Sequence, residues 1–155
     1  DLWGAQYAAV LKNIYAIGAG IANGLGYGDN FLSVYTTNCY REMYHFLTQQ
    51  LAKNNKCGGT CDFFTSAYLG DLLVTCYSAH SRNRTFGTLV GKGYFAKNAG
   101  SEMSMVAEGY YASNCIQGII ARYQLDMPIC HMVYQILYNN SPAIKEVNIL
   151  AQKLS

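Results

Sequence analysis

The stretch Val10-Leu11-Lys12-Asn13-Ile14-Tyr15-Ala16-Ile17-Gly18-Ala19-Gly20-Ile21-Ala22-Asn23-Gly24 decides the reading of the fold. At 100° per residue, Val10, Ile14, Ile17 and Ile21 fall on one stripe, the core face of a helix. The opposite side carries Ala5, Ala8, Lys12, Ala16, Ala19 and Asn23. A solvated face would hold several charges; this one holds a single lysine in a lane of alanines. A helix that is apolar all round is buried all round. Lys12 therefore projects into a narrow space lined by small side chains, where a ligand or backbone can come close. The alternative is a lysine whose stem packs on the alanines while its amine reaches water.

The same periodicity runs outward along the chain. Phe31, Val34, Tyr35, Cys39, Met43, Phe46, Leu47 and Leu51 recur at spacings of three and four, with Asp29 or Asn30 where an N-cap belongs. Lys53 to Thr60, polar and containing Gly58-Gly59, is expected to be a loop. Met127-Pro128 and Ser141-Pro142 each announce a helix start with proline at its first position. Alternating strand patterns are missing, and only two prolines interrupt the chain. The expected fold is all-α, one helical domain over residues 1–155 without repeats.

Gly18-Ala19-Gly20-Ile21-Ala22-Asn23-Gly24 looks like a dinucleotide fingerprint, but that motif must follow a strand and open a helix. Here the glycines trail a helical pattern, so they are expected to end the first helix and form the turn before Asp29.

Composition narrows the function classes. The chain has 155 residues, 51% hydrophobic and 13% charged, against about 25% charged in average soluble domains. That excludes a disordered tail. A net charge of +2 gives no case for nucleic acid, which calls for a strong basic excess. No run reaches the roughly 18 apolar residues of a membrane span. Leu2 to Tyr27 also lacks the charged leader and small-residue cleavage site of a signal peptide. The low charge then suggests surface covered by another subunit or domain, and the start at Asp1-Leu2-Trp3 suggests a piece of a longer protein. The six cysteines (39, 57, 61, 76, 115 and 130) contain one close pair, Cys57 and Cys61, and no second pair at zinc-ligand spacing. Reduced, mostly buried thiols and no metal are expected.

A second informative segment runs from Gly70 to Arg84: GDLLVTCYSAHSRNR. Two arginines, a histidine, an asparagine and hydroxyls gather in a chain otherwise poor in charge. An arginine fork with Ser and Asn donors suits a small phosphate ester. Read blandly, the same segment is an exposed polar loop.

Taken together, Leu11 to Gly20 with Gly24 to Asn30, Gly70 to Gly87, Val106-Ala107-Glu108-Gly109 and Met127-Pro128-Ile129 through Tyr138 resemble the C-terminal domain of NAD(P)-dependent glycerol-3-phosphate dehydrogenases. The likeness covers nearly the whole chain in order. It implies a two-domain cytoplasmic enzyme, with an N-terminal Rossmann domain holding NAD or NADP and this helical part supplying most of the substrate site. A homodimer is implied as well. By position, Lys12 matches the general acid/base, Asp71 the acidic residue of the catalytic site, and Thr75 stands one turn on. Asn13, Ser81, Arg82 and Asn83 match substrate-binding positions; Arg82, Val106 and Glu108 match the cofactor edge. Tyr68 departs from the family, standing two before Gly70 where a small residue is usual, and is expected to reshape the pocket rim. The Lys53 to Cys61 loop looks longer than usual. Two other readings compete: a non-catalytic dimerisation or docking module, and a two-domain reductase of another small acid.

Overall fold

A computed structural model describes residues 2–53, 66–103 and 107–155. Among these residues there are eight α-helices, one short π-helical turn and no strand. They are α1 (Leu2–Gly24), α2 (Asp29–Lys53), the π turn Ser66–Gly70 running into α3 (Asp71–Tyr77), α4 (Arg82–Gly91), α5 (Ala96–Glu102), α6 (Glu108–Tyr123), α7 (Pro128–Tyr138) and α8 (Ala143–Ala151).

The all-α expectation holds, and α1 is the axis of the molecule. It packs against α2, α3, α4, α6 and α7. From Ile14 to Ala22 every residue is buried, the alanine lane included. Val10 is only partly buried, while Ala5 and Asn23 are exposed, so complete burial starts at Ile14.

Gly24 ends the helix as expected, but the other glycines do something else. Gly18 and Gly20 lie in the helix interior, and the helix runs on to Gly24. A Cβ on Gly20 would stand 2.0 Å from the Arg84 carbonyl oxygen, and one on Gly24 2.3 Å from that of Thr88. Reciprocally, a Cβ on Gly87 would stand 2.0 Å from the Ile17 oxygen and one on Gly91 2.3 Å from that of Ile21. The numbers climb together, so α1 and α4 run in the same direction with backbone against backbone. Helix-interior glycine costs about 0.5–1 kcal/mol relative to alanine; here the missing side chains are what allow the close approach. The turn before α2 is left to Gly26, at φ 91°.

Other boundaries shift by one residue. α2 begins at Asp29, so Asp29 and Asn30 are helical and the carbonyl of Gly28 accepts from Leu32 N–H. Pro128 takes the first position of α7 as expected. Pro142, rather than Ser141, sits at the N-cap of α8, and the Ser141 hydroxyl donates to Glu146 Oε1 at 2.6 Å. Tyr68 is buried within the core. Cys39, Cys76 and Cys130 are buried free thiols and Cys115 an exposed one; Cys57, Cys61 and the loop from 54 onward lie outside the described residues. No described helix is long and apolar enough to cross a membrane. No cluster of three or more metal-ligating side chains occurs among the described residues.

Candidate active site

Where α1 leaves the fully buried stretch, its polar residues meet the first turns of two other helices, α3 and α6. Lys12 Nζ lies 2.5 Å from Asp71 Oδ2, the first residue of α3. The lysine side chain is 22% exposed and the aspartate 44%. Neither is sealed from water, so the pair contributes little to stability, about 1 kcal/mol at most. Its effect is geometric. A flexible lysine stem is held to one direction by a carboxylate that the helix start fixes in place. Thr75, one turn further along α3, donates from Oγ1 to the Asp71 carbonyl oxygen at 2.7 Å.

The neighbouring Asn13 turns to α6, where its Nδ2 donates to Glu108 Oε2 at 3.3 Å. Gly109 lets this contact happen: a Cβ there would stand 2.6 Å from the Asn13 carbonyl oxygen. The backbone N–H of Gly109 donates to Asn83 Oδ1 at 2.9 Å. Asn83 is buried, so an uncompensated loss of that acceptor would leave a buried N–H unpaired, a cost of about 1–3 kcal/mol. Its carboxamide oxygen thus ties α4 to α6, and only its NH2 group is left to face a ligand.

Ser81 caps α4, its hydroxyl oxygen accepting from Arg84 N–H at 3.3 Å. That leaves its own O–H as a donor. Arg82, the first residue of α4, is exposed. Arg84 does structural work, donating from Nη1 to the Tyr77 carbonyl at 2.6 Å. The starts of α4 and α6 therefore meet beside Lys12 and Asn13, with partial positive charge at both helix N-termini. Such a site favours an anion close to a lysine amine. His80 is exposed on the adjoining loop. Val106 lies outside the described residues.

Comparison with known proteins gives the family to which this fold belongs. Residues 1–148 match the family described as the C-terminus of NAD-dependent glycerol-3-phosphate dehydrogenase. The chain belongs to this family. It is 37% identical over 154 residues to the glycerol-3-phosphate dehydrogenase [NAD(P)+] of Syntrophomonas wolfei, covering 99% of the chain and 43% of that protein. The corresponding enzyme of Chlorobium phaeobacteroides is 38% identical over 143 residues, covering 92% and 41%. The crystal structure of glycerol-3-phosphate dehydrogenase from Coxiella burnetii superposes with a TM-score of 0.89 at 30% identity, covering 97% of this chain and 45% of that one. The Saccharomyces cerevisiae enzyme gives 0.83 at 25% identity, covering 96% and 42%. This member of the family thus spans less than half the length of the relatives it matches.

One residue near the core escaped the sequence reading. Glu42 of α2 is buried, and its carboxylate accepts from Ile129 N–H at 2.8 Å and Cys130 N–H at 3.1 Å. Burial pushes its carboxyl from the ordinary 4.5 up to about 7, the two N–H groups pulling the other way. The signal was available: Glu42 stands on the inward stripe with Cys39, Met43 and Phe46, where an acid has to be accounted for.

Proposed function

We propose that this chain is the substrate and catalytic half of an NAD(P)-dependent enzyme interconverting sn-glycerol 3-phosphate and dihydroxyacetone phosphate. The observation that carries the reading is the Lys12–Asp71 pair at 2.5 Å, on a helix whose next residue, Asn13, meets the start of α6 to which Asn83 of α4 is also tied. Oxidising a secondary alcohol requires a base for the hydroxyl proton; reducing the ketone requires an acid at the same oxygen. Lys12 fills both roles in turn. In the reductive direction its ammonium, aimed by Asp71, donates a proton to the carbonyl oxygen; in the oxidative direction the neutral amine takes the hydroxyl proton.

Phosphate recognition falls to Arg82, whose planar fork matches two phosphate oxygens. The Ser81 hydroxyl and the NH2 of Asn83 add donors beside it, and Asn13 and Thr75 border the carbon end. Gripping the unreactive phosphate holds the reacting carbon in place, so remote binding energy lowers the barrier of the chemical step.

The residues present fit only one edge of a nicotinamide cofactor. No strand–turn–helix unit for the pyrophosphate occurs among the described residues. The exposed Arg82 and Glu108 offer a guanidinium and a carboxylate suited to phosphate and ribose hydroxyls; Val106 is a third edge position in this reading. When bound, NAD or NADP exchanges a hydride with the substrate carbon. An N-terminal cofactor domain of the same protein and a homodimeric state belong to the same reading, and light scattering on the full-length protein tests the second.

The decisive experiment follows NADH oxidation by the full-length protein with dihydroxyacetone phosphate, beside the Lys12→Ala variant. Turnover that falls about a thousandfold in the variant, with unchanged circular dichroism, supports the assignment. Near-normal turnover in Lys12→Ala would refute the role of the lysine. No turnover in the parent protein favours a docking module.

A further inference from the structure

Phe95, the residue before α5, is 65% exposed, and its ring has no aromatic partner among the described residues. It borders two hollows. One, of about 310 Å³, runs from the turn after α4 to the start of α8 and has aliphatic walls that include Leu25, Val90, Ile136 and Ile144. The other, of about 480 Å³, lies between the start of α5 and the end of α7, walled by Phe95, Lys97, Asn98, Tyr110, Tyr138 and Asn140. Both are of the size that holds a small molecule.

The larger hollow has the walls of a site for a flat ring. Tyr110 and Tyr138 are stacked, with centroids 4.8 Å apart and planes at 25°, and Tyr134 continues the stack on Tyr138 at 5.2 Å. The Tyr138 hydroxyl donates to the Tyr110 carbonyl oxygen at 2.6 Å, so this wall is pinned between α6 and α7. Phe95 has no such tie and has room in both hollows. One fixed and one adjustable aromatic wall can close on a ring by stacking. Two carboxamides, Asn98 and Asn140, line the same space and bond no other described side chain. Each offers donors and an acceptor side by side, which suits the edge of a nitrogen heterocycle such as adenine.

Charge points the same way. Lys97 is the one charged residue lining either hollow, and it forms no ion pair with a described acid. Lys92 and Lys145 are chain neighbours of the lining residues Gly91, Gly93 and Ile144. An unopposed lysine beside apolar walls fits a phosphate or carboxylate. A bare acyl chain would leave the carboxamides covered and unpaired, and a second copy of the chain would bring like charges together.

We propose that the hollow between α5 and α7 is a binding site for a flat nitrogen heterocycle carrying an anionic group, the chemistry of a nucleoside monophosphate. The ring lies between Phe95 and the tyrosine pair, the carboxamides meet its edge, and the anion turns toward Lys97. None of Lys12, Asp71, Arg82 and Asn83 lines this hollow, so it is distinct from the candidate active site. Tyr110 does follow Gly109, whose N–H is held by Asn83, so a bound ligand rests against the same end of α6.

The test titrates AMP into the full-length protein by calorimetry, with NADH in excess to fill any cofactor position. It reads binding and needs no turnover, so it stands apart from the outcome of the dehydrogenase assay. One AMP should bind per chain, about tenfold or more weakly in Phe95→Ser and in Lys97→Glu, both at exposed positions that leave the fold intact. Adenosine and inorganic phosphate should each bind about tenfold or more weakly than AMP. Absence of AMP binding, or binding that survives both variants, overturns the proposal. Phosphate binding as tightly as AMP overturns the stacking, and adenosine doing so overturns the role of the lysine. A full-length dimer that falls to monomer in Phe95→Ser also overturns it, by marking this face as a contact between copies.

Discussion

The two halves of α1 build different things by opposite means. From Ile17 to Gly24 the helix meets α4 through missing side chains, glycine against carbonyl on both partners. At Lys12 and Asn13 the same helix meets α3 and α6 through long polar side chains, an ion pair and a carboxamide. The seam has no room for an added atom, whereas the partly exposed Lys12–Asp71 pair is expected to accept replacement with the fold intact. Stability and chemistry are thus separated along one helix by roughly one to two turns.

The largest effect should come from the seam. Gly87→Val would drive two branches into the Ile17 carbonyl, and thermal melting should show a loss of about 3 kcal/mol or more, or no folded protein. A well-folded Gly87→Val chain would mean that α1 and α4 do not lie backbone to backbone. Next in size is Asp71→Asn in the full-length protein. It should lower kcat at least a hundredfold while shifting thermal stability by about 1 kcal/mol or less, since the pair is partly exposed. A large stability loss with intact kcat would erase the contrast between the two halves. Arg82→Lys should chiefly raise KM for the phosphorylated substrate, about tenfold, because a point charge replaces a fork; steady-state kinetics separate this from a kcat effect. Comparable in free energy is Asn83→Ala, expected to cost about 1–3 kcal/mol of stability by stranding the Gly109 N–H. Faster hydrogen exchange at Gly109 would report it.

Legibility followed the same division. Helices with a stripe of their own, such as α1, α2 and α7, are written in three-and-four spacing, and Pro128 marks its helix start because proline's fixed φ acts locally. Gly24 does close α1, but Gly18 and Gly20 were misread as terminators; the space Gly20 leaves is filled by another helix 60 and more residues away, and a single sequence shows only the local preference. At the site, Lys12 stood out as one charge among alanines and Asp71 entered through the family resemblance, while their contact is tertiary. The tie from Asn83 to Gly109 was invisible, since nothing in an Asn-Arg pair tells which amide its oxygen will meet. Glu42 was overlooked because attention went to polar clusters, not to a single acid within an apolar stripe.

The complete enclosure of α1 from Ile14 to Ala22 has a practical corollary. The proposed acid/base stands two residues before the buried spine of the molecule, while Ser81 and Arg82, assigned to the phosphate, stand at the start of another helix, α4. Changing which substrate is accepted is therefore a matter of editing the residues around Ser81 to Arg82. Relocating the proton donor would mean rebuilding the interior.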